Sequence, residues 1–186
     1  SYIVYSDMDD IKVTGDKAKA DFDNISEHID FTELTGKAIV TALVDGDGAF
    51  KISVDTELSD TPIVEFIGAD KVEYSFVRGL LNEVIFHSVH YAGSKKFHLE
   101  EHYGKGHIES RLYDDNGHEV GLDNVPCLAQ IPPRTEFDGD YIMAVPLKFF
   151  SSRKYPNRGK SIFDGGKSDC FDALDEVISQ WWDAIR

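Results

Sequence analysis

Between Ala49 and Phe150 the chain repeats one pattern, short runs of alternating apolar and polar residues closed by Gly, Asp or Asn. Side chains along a strand point to opposite faces in turn, so each run asks for a core on one side and water on the other. Phe50, Ile52 and Val54 alternate with Lys51, Ser53 and Asp55, and Val72, Tyr74 and Phe76 with Glu73 and Ser75. Phe97, Leu99 and Glu101 share one face of a later run, with His98, Glu100 and His102 on the other; Ile108, Ser110 and Leu112 continue the series. Residues 62–67 and Glu83–Tyr91 read as further strands, and Asp115-Asn116-Gly117 as a tight turn. Residues 37–44, KAIVTALV, also read as a strand, joined through Asp45-Gly46-Asp47-Gly48 to the next run as a hairpin. YIVY at residues 2–5 is a short β-prone opening. The segment 123–139, with Pro132-Pro133, reads as an irregular connector, and residues 140–150 as a strand weakened or bulged at Pro146.

Two segments carry helical spacing instead. Phe22, Ile25 and Ile29 stripe a helix between Asp16 and Asp30, with Thr14 or Asp16 as its cap. Near the end, Phe171, Leu174, Val177, Ile178, Trp181 and Ile185 recur at intervals of three or four, the pattern of a core-facing helix. The expected fold is α+β in a single domain, 1–186. A curved antiparallel β-sheet (a meander, possibly barrel-like) packs against the C-terminal helix, with a weaker N-terminal helix. Residues 151–168 form a basic loop containing Gly, Ser and Pro.

Charge bounds the function classes. Asp and Glu number 34 against 19 Lys and Arg, a net charge of −15. That field repels nucleic acid and anionic membrane and attracts a basic partner. An apolar content of 41% with 12% aromatics is that of a globular chain, not a disordered one. No apolar run reaches the length of a membrane span. The first residues lack the basic and apolar regions of a secretion signal. A cytoplasmic, soluble protein with no direct nucleic-acid or membrane contact is expected, and a homodimer is open. Cys127 and Cys170 are expected as free thiols in a reducing compartment.

Residues 1–36 hold nine acids and three lysines. Asp7, Asp9, Asp10, Asp16, Asp21, Asp23, Glu27 and Asp30 are the candidate partner-binding face, with Tyr5 as a nearby aromatic anchor. The alternative is a solvated surface that keeps the chain dispersed. Six of the seven histidines, His87, His90, His98, His102, His107 and His118, cluster in the centre. His98, Glu100 and His102 share a strand face, but the first and last stand too far apart along a flat strand for one tetrahedral ion. His98 and Glu100 with His87 or His90 fit better. Hydrogen-bonded sheet histidines are the alternative. The Asp45–Gly48 segment lacks the later ligands of a calcium loop. Arg158-Gly159-Lys160-Ser161 lacks the first glycine of a phosphate loop, although Arg153, Lys154, Arg158 and Lys160 offer a phosphate or an acidic partner four cations. Cys127 with a sheet histidine, or Cys170 at a helix start, are the thiol candidates.

No catalytic residue, metal or cofactor is assigned. The expected function is that of an acidic binding or inhibitor protein that docks a basic partner, such as a nucleic-acid-processing enzyme, with nucleic-acid mimicry as one form of it. The alternatives are a structural or assembly component of a virion or complex, and a small metal- or thiol-dependent hydrolase using the central histidines.

Overall fold

A computed structural model describes residues 13–55, 59–164 and 167–185. Two helices lead, α1 (Asp16–His28) and α2 (Phe31–Asp45). Nine strands follow among the described residues: β1 (Asp47–Ser53), β2 (Ile63–Gly68), β3 (Val72–Val77), β4 (Leu80–Ala92), β5 (Lys95–Gly104), β6 (His107–Asp114), β7 (Glu119–Val120), β8 (Arg134–Glu136) and β9 (Ala144–Lys148). Helix α3 (Lys167–Ile185) closes the order. The protein is α+β and rich in strand, as the alternation requires. The YIVY opening lies outside the described residues.

Residues 37–44 are helix, not strand. Asp30, in a left-handed conformation (φ 46°), accepts the Glu33 N–H at 3.2 Å and caps α2. Gly46 (φ 105°) donates to the Ala42 carbonyl at 3.0 Å and ends it. Thr35, Ala38 and Ala42 are the buried residues of one face, while Val40 and Val44 stay exposed. Small residues let α2 lie close on the sheet, and that burial outweighs the weak strand preference of the β-branched run. Asp45–Gly48 is therefore a helix-to-strand junction rather than a hairpin loop. Helix α1 carries the expected stripe; its N-cap is Gly15, without the side-chain bond expected of Thr14 or Asp16.

The strands form two antiparallel sheets, one ordered β2-β1-β9 and the other β3-β4-β5-β6-β7, with β8 also paired to β6. Pro146 sits in β9, an edge strand, where its missing N–H breaks no ladder. Phe50 and Ile52 of β1 face the helices, and Ala49 and Lys51 face the larger sheet, where Ala49, Val72, Val84, Phe86, Tyr103 and Ala144 make one core. A second core, Phe97, Leu99, Leu112, Leu122, Val125 and Leu128, forms where the connector folds over the far half of the same face.

This arrangement corrects the expected architecture. The larger sheet stays open, with β3 on one edge and β7 and β8 on the other, and does not curl into a barrel. Its apolar face is covered by the smaller sheet and by the turns of residues 122–128, not by the C-terminal helix. Its other face carries Glu73, Glu83, His87, Glu100, His102, Glu109 and Arg111 together with Ile85, Val89 and Tyr91 of β4. Of the stripe of α3, Leu174, Val177, Ile178 and Trp181 are exposed, and the side chains of Phe171 and Ile185 lie outside the described residues.

The Asp115-Asn116-Gly117 turn is held by Asp114, whose carboxylate accepts the N–H groups of Asn116 and His118, each at 2.9 Å. The His118 N–H bond, more than any other contact, holds the Asp114 carboxyl below its usual range. A lowered folded-state value means the turn is supported above the unfolded value and released as pH falls through the folded one. In an NMR titration the Asn116 and His118 amide shifts should move together at a midpoint below the ordinary Asp value of about 3.9. A midpoint at or above that value would show that the bonds contribute nothing.

Candidate functional site

Helix α1 and the two-residue turn after it gather the candidate acidic face. At 3.6 residues per turn, Asp16, Asp23 and Glu27 of α1 fall within an arc of about 40° on the side away from Phe22 and Ile25, and the fourth acid, Asp30, follows beyond the helix end in a left-handed conformation. All four are exposed. Asp21 is exposed as well but points away from this arc. Among the described residues, Asp16, Asp21, Asp23 and Glu27 form no ion pair, while Asp30 is engaged as the cap of α2. Tyr5, Asp7, Asp9 and Asp10 lie outside the described residues. On its apolar side α1 roofs a cavity of about 320 Å³ over the smaller sheet, lined by Phe22, Ile25, Ile29, Phe31, Phe50 and Ile52. Phe22 and Phe31 meet edge to face at 6.0 Å across its mouth.

The central histidines divide between the faces of the larger sheet. On the open face Glu100 lies between two imidazoles. His102 Nε2 is 3.4 Å and His87 Nδ1 3.8 Å from its carboxylate. His102 Nδ1 reaches Glu83 at 3.2 Å, and His87 Nε2 stands 3.6 Å from Glu73. The register that pairs Ile85 with His102 and His87 with Glu100 creates this ladder. Beside it Arg111 donates to Glu109 at 2.8 Å, and that bond, more than any other contact, holds the Glu109 carboxyl below its usual range. His98 pairs with Tyr113 and Val89 in the ladder of strands, away from these carboxylates. Among the described residues no three His, Cys, Asp or Glu side chains are arranged to hold a metal ion.

His90 belongs to the opposite face. Its Nδ1 is 3.8 Å from the Cys127 thiol and its Nε2 is 3.0 Å from Ser88 Oγ. Cys127 is a free, exposed thiol on the short turn Pro126–Leu128. Of the expected convergence of His87, His90, His98 or His102 with Glu100 or Cys127, the structure brings His90 alone to Cys127 and His87 and His102 to Glu100, two separate groups on two faces. The side chain of Cys170 lies outside the described residues. His107 Nδ1 donates to the Lys105 carbonyl of its own turn at 3.0 Å, and His118 faces Asp114.

The basic loop is committed inward. Arg158 grips Asp47 through both ends of its fork, with Nε to Oδ2 at 3.0 Å and Nη2 to Oδ1 at 2.9 Å. It also donates to the carbonyls of Val72 at 2.6 Å and Ala69 at 2.8 Å. The Gly159 N–H completes the Asp47 carboxylate. Arg158 lies over the Tyr74 ring, 5.2 Å from its centroid. Burial, with the Asp47 charge behind it, pushes the Tyr74 phenol up, so it remains a donor to the Gly48 carbonyl. This cation ties the loop to both sheets and is not available to a phosphate. No local signal joins two residues 111 positions apart, which is why the spacing of the basic residues does not reveal the pair. Lys154 lies over its neighbour Tyr155, and Arg153 is exposed.

Compared with known proteins, the chain matches no family model and no curated protein. No described helix is long and apolar enough to cross a membrane.

Proposed function

We propose that this is an acidic binding protein that meets a positively charged partner through the outer face of α1, with a basic nucleic-acid-processing enzyme as the expected kind of target. The observation that carries the reading is the placement of Asp16, Asp23 and Glu27 on one exposed face of α1, three carboxylates against the single cation Lys19 at the border of that face. Unpaired carboxylates so placed add their fields in the direction of solvent and speed encounter with a cation-rich surface. From Asp16 to Glu27 the helix rises about 16 Å and carries three carboxylates on this face, one per roughly 8 Å. A duplex carries a phosphate charge every 3.4 Å or so along each strand. The face has about half that density, so charge steering is the core of the proposal and mimicry a stronger form of it. A reducing, cytoplasmic setting suits the free surface thiol of Cys127.

The test is association kinetics of the immobilised chain with a panel of basic nucleic-acid enzymes. The on-rate should fall at least about tenfold between 0.05 and 0.5 M salt. The triple variant Asp16→Asn/Asp23→Asn/Glu27→Gln, which leaves the Asp30 cap intact, should lower the low-salt on-rate by about threefold to tenfold with little change in off-rate. On-rates indifferent to salt and to the triple variant would remove the reading. The exposed stripe of α3 favours a second reading, an assembly component of a larger complex, which sedimentation would show as a defined oligomer.

A further inference from the structure

Cys127 is not an isolated surface thiol. Its turn, Pro126–Leu128, lies between Val125 and Leu128, which are 1 and 4% exposed and seat that turn in the second core. These anchors fix the backbone of Cys127 while its free thiol stays exposed. Strand β4, 37 positions away in the chain, brings His90 Nδ1 to 3.8 Å from Cys127 Sγ, within reach of a hydrogen bond to sulfur. The other ring nitrogen, Nε2, lies 3.0 Å from the Ser88 hydroxyl on the same strand face. With the proton on Nε2 and donated to Ser88, Nδ1 turns its lone pair toward the thiol. A nucleophile, a base in reach of its proton and a third group that orients the base are the parts that nucleophilic catalysis uses. His87 and His102 differ in kind, since each is held against carboxylates on the open face.

The chemistry of the site narrows what it can act on. Acyl transfer requires donors aimed at a developing oxyanion beside the sulfur. Exchange with a disulfide requires only a deprotonated sulfur, an open approach and a leaving thiol. The thiol, the base and the open approach at Cys127 meet the second set of requirements. The charge of the chain selects among disulfides. A net charge of −15 repels an anionic disulfide and draws in a cationic one.

We propose that Cys127, His90 and Ser88 form a thiol–disulfide exchange site for small cationic disulfides. His90 Nδ1 takes the Sγ proton as Sγ attacks one sulfur of the disulfide. The S–S bond breaks, Cys127 keeps one half as a mixed disulfide, and the other half leaves as a thiolate that recovers the proton from His90. Cys127 is oxidised and the released half is reduced, so electrons and protons balance. Cys127 is the nucleophile, His90 the base, and Ser88 a positioning residue that acts through His90. The inference is independent of the basic-partner reading, because it uses no residue of α1.

The test uses the full chain carrying Cys170→Ser, in which Cys127 is the one remaining cysteine. Cystamine, a dicationic disulfide, is the probe, and the mixed disulfide is followed by intact mass after acid quenching. A free thiol is only a few per cent ionised at about pH 7, so a base that takes its proton speeds attack by at most about thirtyfold. The rate should rise through the imidazole range, at about pH 6–7. A rise only near the ordinary thiol value of about 8.5 would overturn the inference without any further variant. His90→Gln should slow the reaction at least about fivefold at about pH 7 and less than about twofold at about pH 10, where every exposed thiol is ionised. A loss of the same size at both pH values, or no loss at either, would remove His90 as the base. Ser88→Ala should slow the reaction about twofold to fivefold at about pH 7, and Ser88→Thr, which restores the hydroxyl, should recover it. Failure of that recovery in a chain of unchanged circular dichroism would remove the positioning role. The ratio of the cystamine rate to that of dianionic 3,3′-dithiodipropionate should fall at least about threefold between 0.05 and 0.5 M salt, as screening removes the charge preference and leaves the leaving-group difference. A ratio indifferent to salt would overturn the substrate class.

Discussion

Arg158→Ala should destabilise the fold by about 3–5 kcal/mol, the usual cost of stripping one partner from a buried ion pair. Asp47 is 3% exposed in its side chain, and without the guanidinium only the Gly159 N–H remains to it among the bonds described above. The same substitution frees the carbonyls of Val72 and Ala69 and uncovers the Tyr74 ring. The effect should appear as a lower urea midpoint at neutral pH with an unchanged slope. Arg158→Lys keeps the charge but not the fork and should fall between the two. Lys154→Ala, a nearby exposed cation, should stay within about 0.5 kcal/mol of the parent. A midpoint unmoved by Arg158→Ala would mean that the loop is not anchored through this pair.

The second large effect is expected at Lys51. Its ammonium meets Glu101 between the two sheets, with side chains only 15 and 17% exposed, and lies 5.7 and 5.9 Å from the rings of Phe86 and Tyr103. Lys51→Ala should cost about 2–3 kcal/mol, below the fully buried case because some water reaches the pair. Lys51→Met retains the stem over the rings and separates packing from charge. A double-mutant cycle with Glu101→Ala should show a coupling of about 1–2 kcal/mol. Strict additivity of the two single losses would demonstrate that the ions do not support one another.

These two pairs also show where sequence reasoning stops. Alternation along residues 97–102 puts Glu101 on the same face as Phe97 and Leu99, and the structure agrees. A carboxylate on a core face demands a counter-charge. Its identity, Lys51, depends on how β1 is laid across β5, and no local pattern encodes that placement. Asp47 and Arg158 are the same case, with the cation drawn from a stretch whose composition suggests an open loop. On the other face, the spacing of His98, Glu100 and His102 separates the two imidazoles and favours His98 and Glu100 with His87 or His90; His87 does meet Glu100, but so does His102. Register also recruits Glu83 and Glu73 from neighbouring strands and leaves His98 aside.

What the amino-acid order determined by itself is whatever depends on near neighbours: the strands of the meander, the Asp-Asn-Gly turn, the α1 stripe and the amphipathic C-terminal helix. Each follows from a repeat of two or 3.6 residues and needs no distant contact. Tertiary structure alone decided that residues 37–44 wind into a helix, that two sheets stack instead of one closing, and that Leu174, Val177, Ile178 and Trp181 of the C-terminal stripe stay exposed. Those outcomes turn on which apolar face finds which cover. That competition is settled by total area buried across the whole chain, a sum to which each local pattern contributes only one term.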